Sequence, residues 1–245
     1  MGRLISIASG KGGTGKTTTT ANLSVALGKM GYRVCAVDAD LTMANLSLVM
    51  GVDDAETTIH DVLAGRAEIS DAVYATTYDN VYLVPAAIDW EHVIRADPRG
   101  LPGTIKGLKD KFDFVLIDCP AGLQMDAMNA MLSGEEVLLV TTPEIPCVTD
   151  TMKVGVVLKK AGLAILGFVF NRLGISEAEI TPEVAEEVME VPLLAVIPED
   201  PVVREATLEG VPVVEYKPKS EGAKAFMELA ERISKISGLK ARVMQ

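Results

Sequence analysis

Between Gly10 and Lys16 the chain places four glycines and two lysines in seven residues, and Thr17 and Thr18 follow at once. Neither a helix nor a strand tolerates that glycine density, so this stretch is a loop of special backbone shape. Its spacing is G-x-x-x-x-G-K-[ST], the form in which backbone N–H groups curl around a polyphosphate. Gly10, Gly12, Gly13 and Gly15 supply the bends, Lys16 a mobile positive charge and Thr17 an oxygen for Mg²⁺. Such a loop needs a strand before it and a helix after it. Leu4 to Ala8 reads as a short buried strand, and Thr17 to Gly31 as a helix with Ala21, Val25, Ala26 and Met30 at roughly helical spacing. The phosphates would then meet the positive end of the helix dipole.

Gly10, Gly12 and Gly15 also satisfy G-x-G-x-x-G, and Asp38 lies at about the spacing of a ribose-binding acid in a dinucleotide fold. The residues after Gly15 argue against that reading. A dinucleotide fold needs an apolar helix start there, whereas this chain has Lys16, Thr17, Thr18, Thr19 and Thr20, groups suited to phosphate and metal.

The rest of the chain alternates strand-like and helix-like segments, the pattern of a parallel sheet covered by helices on both faces. The expected fold is an α/β three-layer sandwich with a mostly parallel sheet of about seven or eight strands. Candidate strands are Arg33 to Asp38, Val81 to Val84, Phe112 to Asp118, Glu136 to Thr142, Ile165 to Asn171 and Leu193 to Ile197, mostly unbroken runs of Val, Ile, Leu and Ala. With 245 residues, 49% of them hydrophobic, one domain over residues 1–238 can bury a full core, leaving 239–245 as a short basic tail.

Polar residues interrupt these runs at the C-terminal strand ends, where open α/β sheets bind ligands. They are Asp38 with Asp40, Asp118, Thr141 with Thr142, and Asn171. Asp118 closes an apolar strand and would hold Mg²⁺ through water beside the loop; Pro120 and Gly122 make the next segment a turn, so a helix-capping role is disfavoured. One of Asp38 and Asp40 could cap a helix starting near Thr42 or Met43, but two acids exceed what one cap needs. The Asn171 amide can both donate and accept, which suits a base edge as well as it suits a turn.

Lys11 adds a charge beyond what the loop of one subunit needs, and read alone it could be a solvated lysine on an exposed turn. With its neighbours, Lys11-Gly12-Gly13-Thr14-Gly15-Lys16-Thr17 resembles the deviant Walker A signature of the MinD/ParA/nitrogenase iron-protein superfamily. The resemblance extends through Val37-Asp38-Ala39-Asp40-Leu41, Leu116-Ile117-Asp118-Cys119-Pro120-Ala121-Gly122 and Phe170-Asn171-Arg172, covers nearly the whole chain, and is greatest to MinD-type proteins. It implies a P-loop ATPase that binds ATP or ADP with Mg²⁺ and forms a homodimer around the nucleotide. Phosphate contacts would come from Gly10 to Thr18, with Lys11 reaching the partner's nucleotide. Lys11, Lys16 and Asp40 would be catalytic, Asp40 positioning the attacking water. Thr17, Asp118 and, less directly, Asp38 would serve the metal. Gly122 would offer its N–H to the γ-phosphate. Asn171, Arg172, Pro198, Glu199 and Asp200 would form the base side. Adenine is favoured over guanine because Asn171-Arg172-Leu173-Gly174 lacks the aspartate of an Asn-Lys-x-Asp motif.

Several functions share this machinery. An iron protein would need cluster cysteines in further segments, and Cys119 and Cys147 do not sit in such a pattern; with Cys35 they make an odd set of three, expected as reduced thiols. His60 and His92 stand in no metal-ligand spacing. A ParA-type partition ATPase must hold DNA, which a net charge of −11 disfavours. A small-molecule kinase or ligase would need a second motif that is not evident. The resemblance therefore implies a spatial regulator of division or of a cell-surface assembly, with an unidentified regulatory protein as partner, cytoplasmic or peripheral on the inner face of the membrane.

Phe226, Leu229, Ile233 and Ile236 make Glu221 to Ser237 an amphipathic helix packed on the sheet. Beyond Gly238 the short basic tail Leu239 to Gln245 carries Leu239, Val243 and Met244; the resemblance implies a membrane-targeting segment there, while the lack of an aromatic-rich face suits a frayed end equally well. Met1 to Ser6 fits an N-myristoylation pattern, but Leu4 to Ile7 must form the first strand. No apolar run is long enough to span a bilayer.

Overall fold

The computed structural model describes residues 2–52, 55–87 and 96–239. Eight strands form one sheet: β1 (Arg3–Ala8), β2 (Val34–Asp38), β3 (Tyr74–Ala75), β4 (Val81–Val84), β5 (Phe114–Asp118), β6 (Glu136–Thr141), β7 (Ala164–Leu173) and β8 (Leu193–Pro198). Their spatial order is β3-β4-β2-β5-β1-β6-β7-β8, and every pairing is parallel except β3 with β4. Each predicted strand is present, Val81–Val84 as predicted and the others with one or both ends moved by one or two residues. The two-residue antiparallel edge β3 was not predicted.

Strand pleating divides the core between two faces. In β1, Ile5 and Ile7 join a cluster with Leu23, Leu27, Phe226 and Leu229, whereas Leu4 and Ala8 face a second cluster with Ile105, Met131 and Leu158. The first face is covered chiefly by α1 (Lys16–Lys29) and α10 (Glu221–Ser237). Between them in sequence come α2 (Leu46–Met50), α3 (Ile59–Leu63), α4 (Leu101–Lys106), α5 (Met125–Met131), α6 (Ile145–Lys160), α7 (Pro182–Met189), α8 (Pro201–Leu208) and α9 (Val213–Tyr216). The second face is covered by α4, α5 and α6.

β1 lies centrally, hydrogen-bonded to β5 on one side and β6 on the other. The chain leaves β1 toward β2 and crosses back from β5 to β6, so a crevice opens at the C-terminal end of β1 where the connections diverge. Gly2 is buried and its N–H donates to the Lys109 carbonyl at 3.1 Å, which ties the myristoylation-like N-terminus to the segment between α4 and β5.

Three expectations are corrected. The helix after Asp40 starts at Leu46, not near Thr42 or Met43, because the intervening residues form a loop held by carboxylates. Ile236 is 47% exposed and leaves the apolar stripe that buries Phe226, Leu229 and Ile233. Leu239 is no free tail residue: it packs against the core, and the Tyr32 hydroxyl donates to its carbonyl at 3.0 Å. The remaining tail, 240–245, and His92 lie outside the described residues.

Candidate nucleotide site

The glycine-rich loop emerges from β1 and ends where Gly15, at φ 92°, turns the chain into α1. Thr19 N–H closes the first helical bond to the Gly15 carbonyl at 2.8 Å. No acidic side chain occupies the first turn of α1, so its partial positive charge is uncompensated by the protein. Thr14 is buried in the loop with its hydroxyl unpartnered. An orphaned buried hydroxyl costs about 1–3 kcal/mol unless a ligand bonds it, and a phosphate oxygen would supply that partner.

Two glycines are fixed by close approach. A Cβ on Gly10 would lie 2.3 Å from the Asp150 backbone, where Gly10 N–H donates to the Thr151 hydroxyl at 3.2 Å. A Cβ on Gly15 would lie 2.2 Å from Asn171 Nδ2. The loop is thus wedged between α6 and the end of β7.

Lys16 is buried near Asp118, and the Asp118 carboxylate accepts from the Thr17 hydroxyl and, at 3.3 Å, from Thr20 Oγ1. Asp38 and Asp118 are directly paired across β2 and β5, and Asp40 stands close enough for its charge to act on both. Burial raises both buried carboxyls, Asp38 to about 8 with a further push from Asp118, and Asp118 to about 6 against the pull of Thr17 and Lys16. A dication would offset this mutual repulsion. Among the described residues no three His, Cys, Asp or Glu side chains form a metal cage. Mg²⁺ needs none, since it keeps waters and is commonly held by one or two carboxylates plus substrate phosphates. Thr17 directly, and Asp118 through water, fit that role.

Linkage gives the raised pair a sign. The unfolded chain releases these protons near 3.8, whereas the folded chain holds them to higher pH. The pair's contribution to folding stability is therefore full in acid and lost as pH rises through about 6 to 8. Without metal or nucleotide, Asp118→Asn should lose less melting temperature than the parent between about pH 5 and pH 8. An equal loss in both would show that the carboxyls do not repel as their burial demands.

Asp38 does more than face the metal side. Its carboxylate accepts from the Asp40 N–H at 3.1 Å, from Asn45 at 3.1 Å and from Leu46 at 3.0 Å. It therefore organises the loop that carries Asp40, whose own Oδ1 accepts from Thr42 and Met43 N–H. In the turn after β5, Gly122 adopts φ 90° and its N–H donates to the Ser9 carbonyl at 3.0 Å. That amide is engaged with the loop's entry strand here and must change partner to meet a γ-phosphate.

On the other side of the loop lies a cleft of about 440 Å³ lined by Gly13, Gly15, Thr18, Asn171, Arg172, Pro198, Glu199 and Asp200. Every residue predicted for the base side is thus gathered beside the phosphate loop. Asn171 is buried, with Nδ2 donating to the Thr14 carbonyl at 2.8 Å. Arg172 takes a left-handed backbone at φ 64° and pairs with Glu199 at 2.9 Å. The Asp200 carboxylate is spent on structure, accepting from Val202 N–H in the first turn of α8 and from Gly222 N–H of α10. The far wall comes from α8, through Val203, Arg204, Thr207 and Leu208. Sequence reading missed this wall; its signal is the four-residue step from Val203 to Thr207, immediately after a sheet-end Asp-Pro pair.

This arrangement matches known proteins along the whole chain. Residues 2–161 match a family described as an AAA domain, and residues 105–234 one described as ParA, the NUBPL iron-transfer P-loop NTPase. The septum site-determining protein MinD of Pyrococcus horikoshii, solved with Mg-ADP, superimposes with a TM-score of 0.97 at 70% identity, covering 99% of this chain and 100% of that one. The chain belongs to the MinD/ParA family of P-loop ATPases. The septum site-determining protein MinD of Synechocystis is 35% identical over 240 residues, covering 95% of this chain and 90% of its own. An uncharacterized ATP-binding protein of Methanocaldococcus jannaschii is 42% identical over 233 residues, 95% of this chain and 88% of that one. This MinD/ParA ATPase accordingly takes ATP or ADP with Mg²⁺. Among the described residues no helix is long and apolar enough to cross a membrane.

Proposed function

We propose that this MinD-like ATPase is a switch that dimerises around ATP and acts as a spatial regulator. The observation that carries the reading is Lys11. Its side chain is 43% exposed, and its ammonium lies 3.6 Å from Asp150 in α6, which also pairs with Lys153 at 2.9 Å. An ion pair this exposed is screened by water and weak, so a partner's phosphates can draw Lys11 away at little cost. Apolar side chains surround the same end of the sheet. Met43 follows β2, Met125 follows β5 and Ile145 follows β6, at 70%, 73% and 66% exposure, and a second copy facing the site would cover them.

Within the dimer, Lys16 and the loop amides hold the phosphates of their own subunit while Lys11 approaches those of the partner. The charge that accumulates in phosphoryl transfer is thereby offset from both sides. Thr17 directly, and Asp118 through water, would hold Mg²⁺, which would supply further charge neutralisation. Asp40 orients the attacking water in line. Gly122 exchanges the Ser9 carbonyl for the γ-phosphate and so couples nucleotide state to the turn after β5. Asn171, Arg172 and the 198–200 backbone hold adenine.

Turnover then dismantles the dimer that performs it, as suits a timed positional signal. Attachment of such a dimer to a membrane would fall to residues 240–245, since Leu239 is occupied by the core. Two weak basic and apolar tails on one dimer raise effective concentration, so attachment would follow ATP. The test combines light scattering with sedimentation. With ATP, but not ADP, the protein should elute as a dimer and pellet with anionic liposomes but not with duplex DNA. ATP-dependent pelleting with DNA alone would move it to the partition class.

A further inference from the structure

His60 is fully buried near the start of α3, far in sequence from the phosphate loop. Its Nε2 lies 3.0 Å from the Leu41 carbonyl, and the Ala87 N–H donates to its Nδ1 at 3.0 Å. A carbonyl only accepts and a backbone N–H only donates, so Nε2 carries the proton and Nδ1 is bare. The start of α3 is fastened to the segment after β4 a second time, by Ile59 N–H donating to the Pro85 carbonyl at 2.9 Å. One imidazole thus joins the segment after β4 to the loop after β2, and it does so at the residue following Asp40.

Asp40 has a held neighbour on each side. Ala39 N–H donates to the Asp118 carbonyl at 3.0 Å, and Leu41, buried at 5% exposure, is held through its carbonyl by His60. The first clamp is backbone to backbone and involves no side chain. The second depends on a side chain. We infer that His60 is a positioning residue for hydrolysis, fixing the Leu41 side of the loop so that Asp40 is presented to the attacking water. The inference rests on the water-orienting role proposed for Asp40. It separates two properties of the site, because the His60 hydrogen bonds to Leu41 and Ala87 run to loops other than the phosphate loop and the base cleft. Losing it should disturb hydrolysis and leave nucleotide affinity alone.

Two substitutions dissect the imidazole. The amide nitrogen of glutamine falls near the position of Nε2 and can still donate to Leu41, whereas the shorter asparagine reaches only the Nδ1 position and leaves the Leu41 carbonyl buried without a donor. His60→Gln should keep kcat within about threefold of the parent, and His60→Asn should lose about tenfold or more, as expected for one buried hydrogen bond left unmade. KM and the calorimetric affinity for Mg·ADP should match the parent in both. Asp40→Ala is measured alongside. Slow hydrolysis in Asp40→Ala beside parent-like kcat in His60→Asn overturns the clamp alone. Parent-like hydrolysis in Asp40→Ala overturns the role of Asp40 and the clamp with it. Equal kcat losses in both His60 variants that track their loss of melting temperature make His60 a scaffold residue and also overturn the inference. Should His60→Asn fail to fold, amide hydrogen exchange over residues 39–45 in His60→Gln decides: protection like the parent's supports the clamp, and its loss with unchanged kcat overturns it.

Discussion

Lys16→Ala should remove useful Mg·ATP binding while leaving the nucleotide-free protein folded. Lys16 is buried, yet it belongs to neither hydrophobic cluster. Its backbone opens α1, a position alanine fills at least as well. What disappears is a buried ammonium held beside Asp118, the group that would meet the β- and γ-phosphates in a loop of this form. Removing one partner of such a desolvated charged contact costs about 2–5 kcal/mol, from roughly thirtyfold to several thousandfold in Kd. Thr17→Ala should weaken binding through the metal, so its deficit should shrink when Mg²⁺ is omitted from both proteins. That of Lys16→Ala should not. Calorimetric titration with ATP, with and without Mg²⁺, checks both. Affinities near the parent's in both variants would mean that the loop does not hold phosphate.

The parts of this site that could be read beforehand have their chemistry in consecutive residues or at strand ends. The phosphate loop is local, so Gly10 to Thr18 announce both its shape and its ligand. Asp38, Asp118 and Asn171 stand out because each ends a run of buried aliphatic residues, and parallel strands bring those ends to one edge. The same logic found every long strand and both outer limits of α10. What escaped depends on distant pairing. Asp38 could be weighed as a cap or as a metal neighbour, but only the folded loop shows its carboxylate taking three N–H groups. The left-handed turn at Arg172 leaves no mark on a side-chain pattern, since arginine has no preference for it. His60 stands in no metal-ligand spacing and carried no other signal, yet its ring atoms bridge two loops that meet only in three dimensions. Edge strand β3, two residues long, is too short for any alternation to register.

Lys11 and Asp40 should fail in different ways, and the difference tests the proposed mechanism more sharply than loss of activity does. In the isolated subunit the Lys11 ammonium is held by Asp150, outside its own loop. Lys11→Ala therefore leaves the subunit's own amides, Lys16 and Thr17 in place, so Mg·ATP should bind with near-parent affinity. The cross-subunit charge is gone, and with it ATP-driven dimerisation. Asp40→Ala keeps every phosphate contact and deletes the group that orients water, a loss of about 10²–10⁴ in turnover for a positioned base. It also releases the N–H groups of Thr42 and Met43, but both residues are exposed and water can replace the carboxylate there. With hydrolysis blocked, the Asp40 variant should assemble with ATP and stay assembled, because the reaction that dismantles the dimer no longer runs. Size-exclusion chromatography with light scattering should show a monomer for Lys11→Ala and a persistent dimer for Asp40→Ala. A Lys11 variant that dimerises and hydrolyses ATP like the parent would return Lys11 to a solvated lysine on an exposed turn. The apolar ring of Met43, Met125 and Ile145 would then need another partner, and the two-subunit mechanism would be lost.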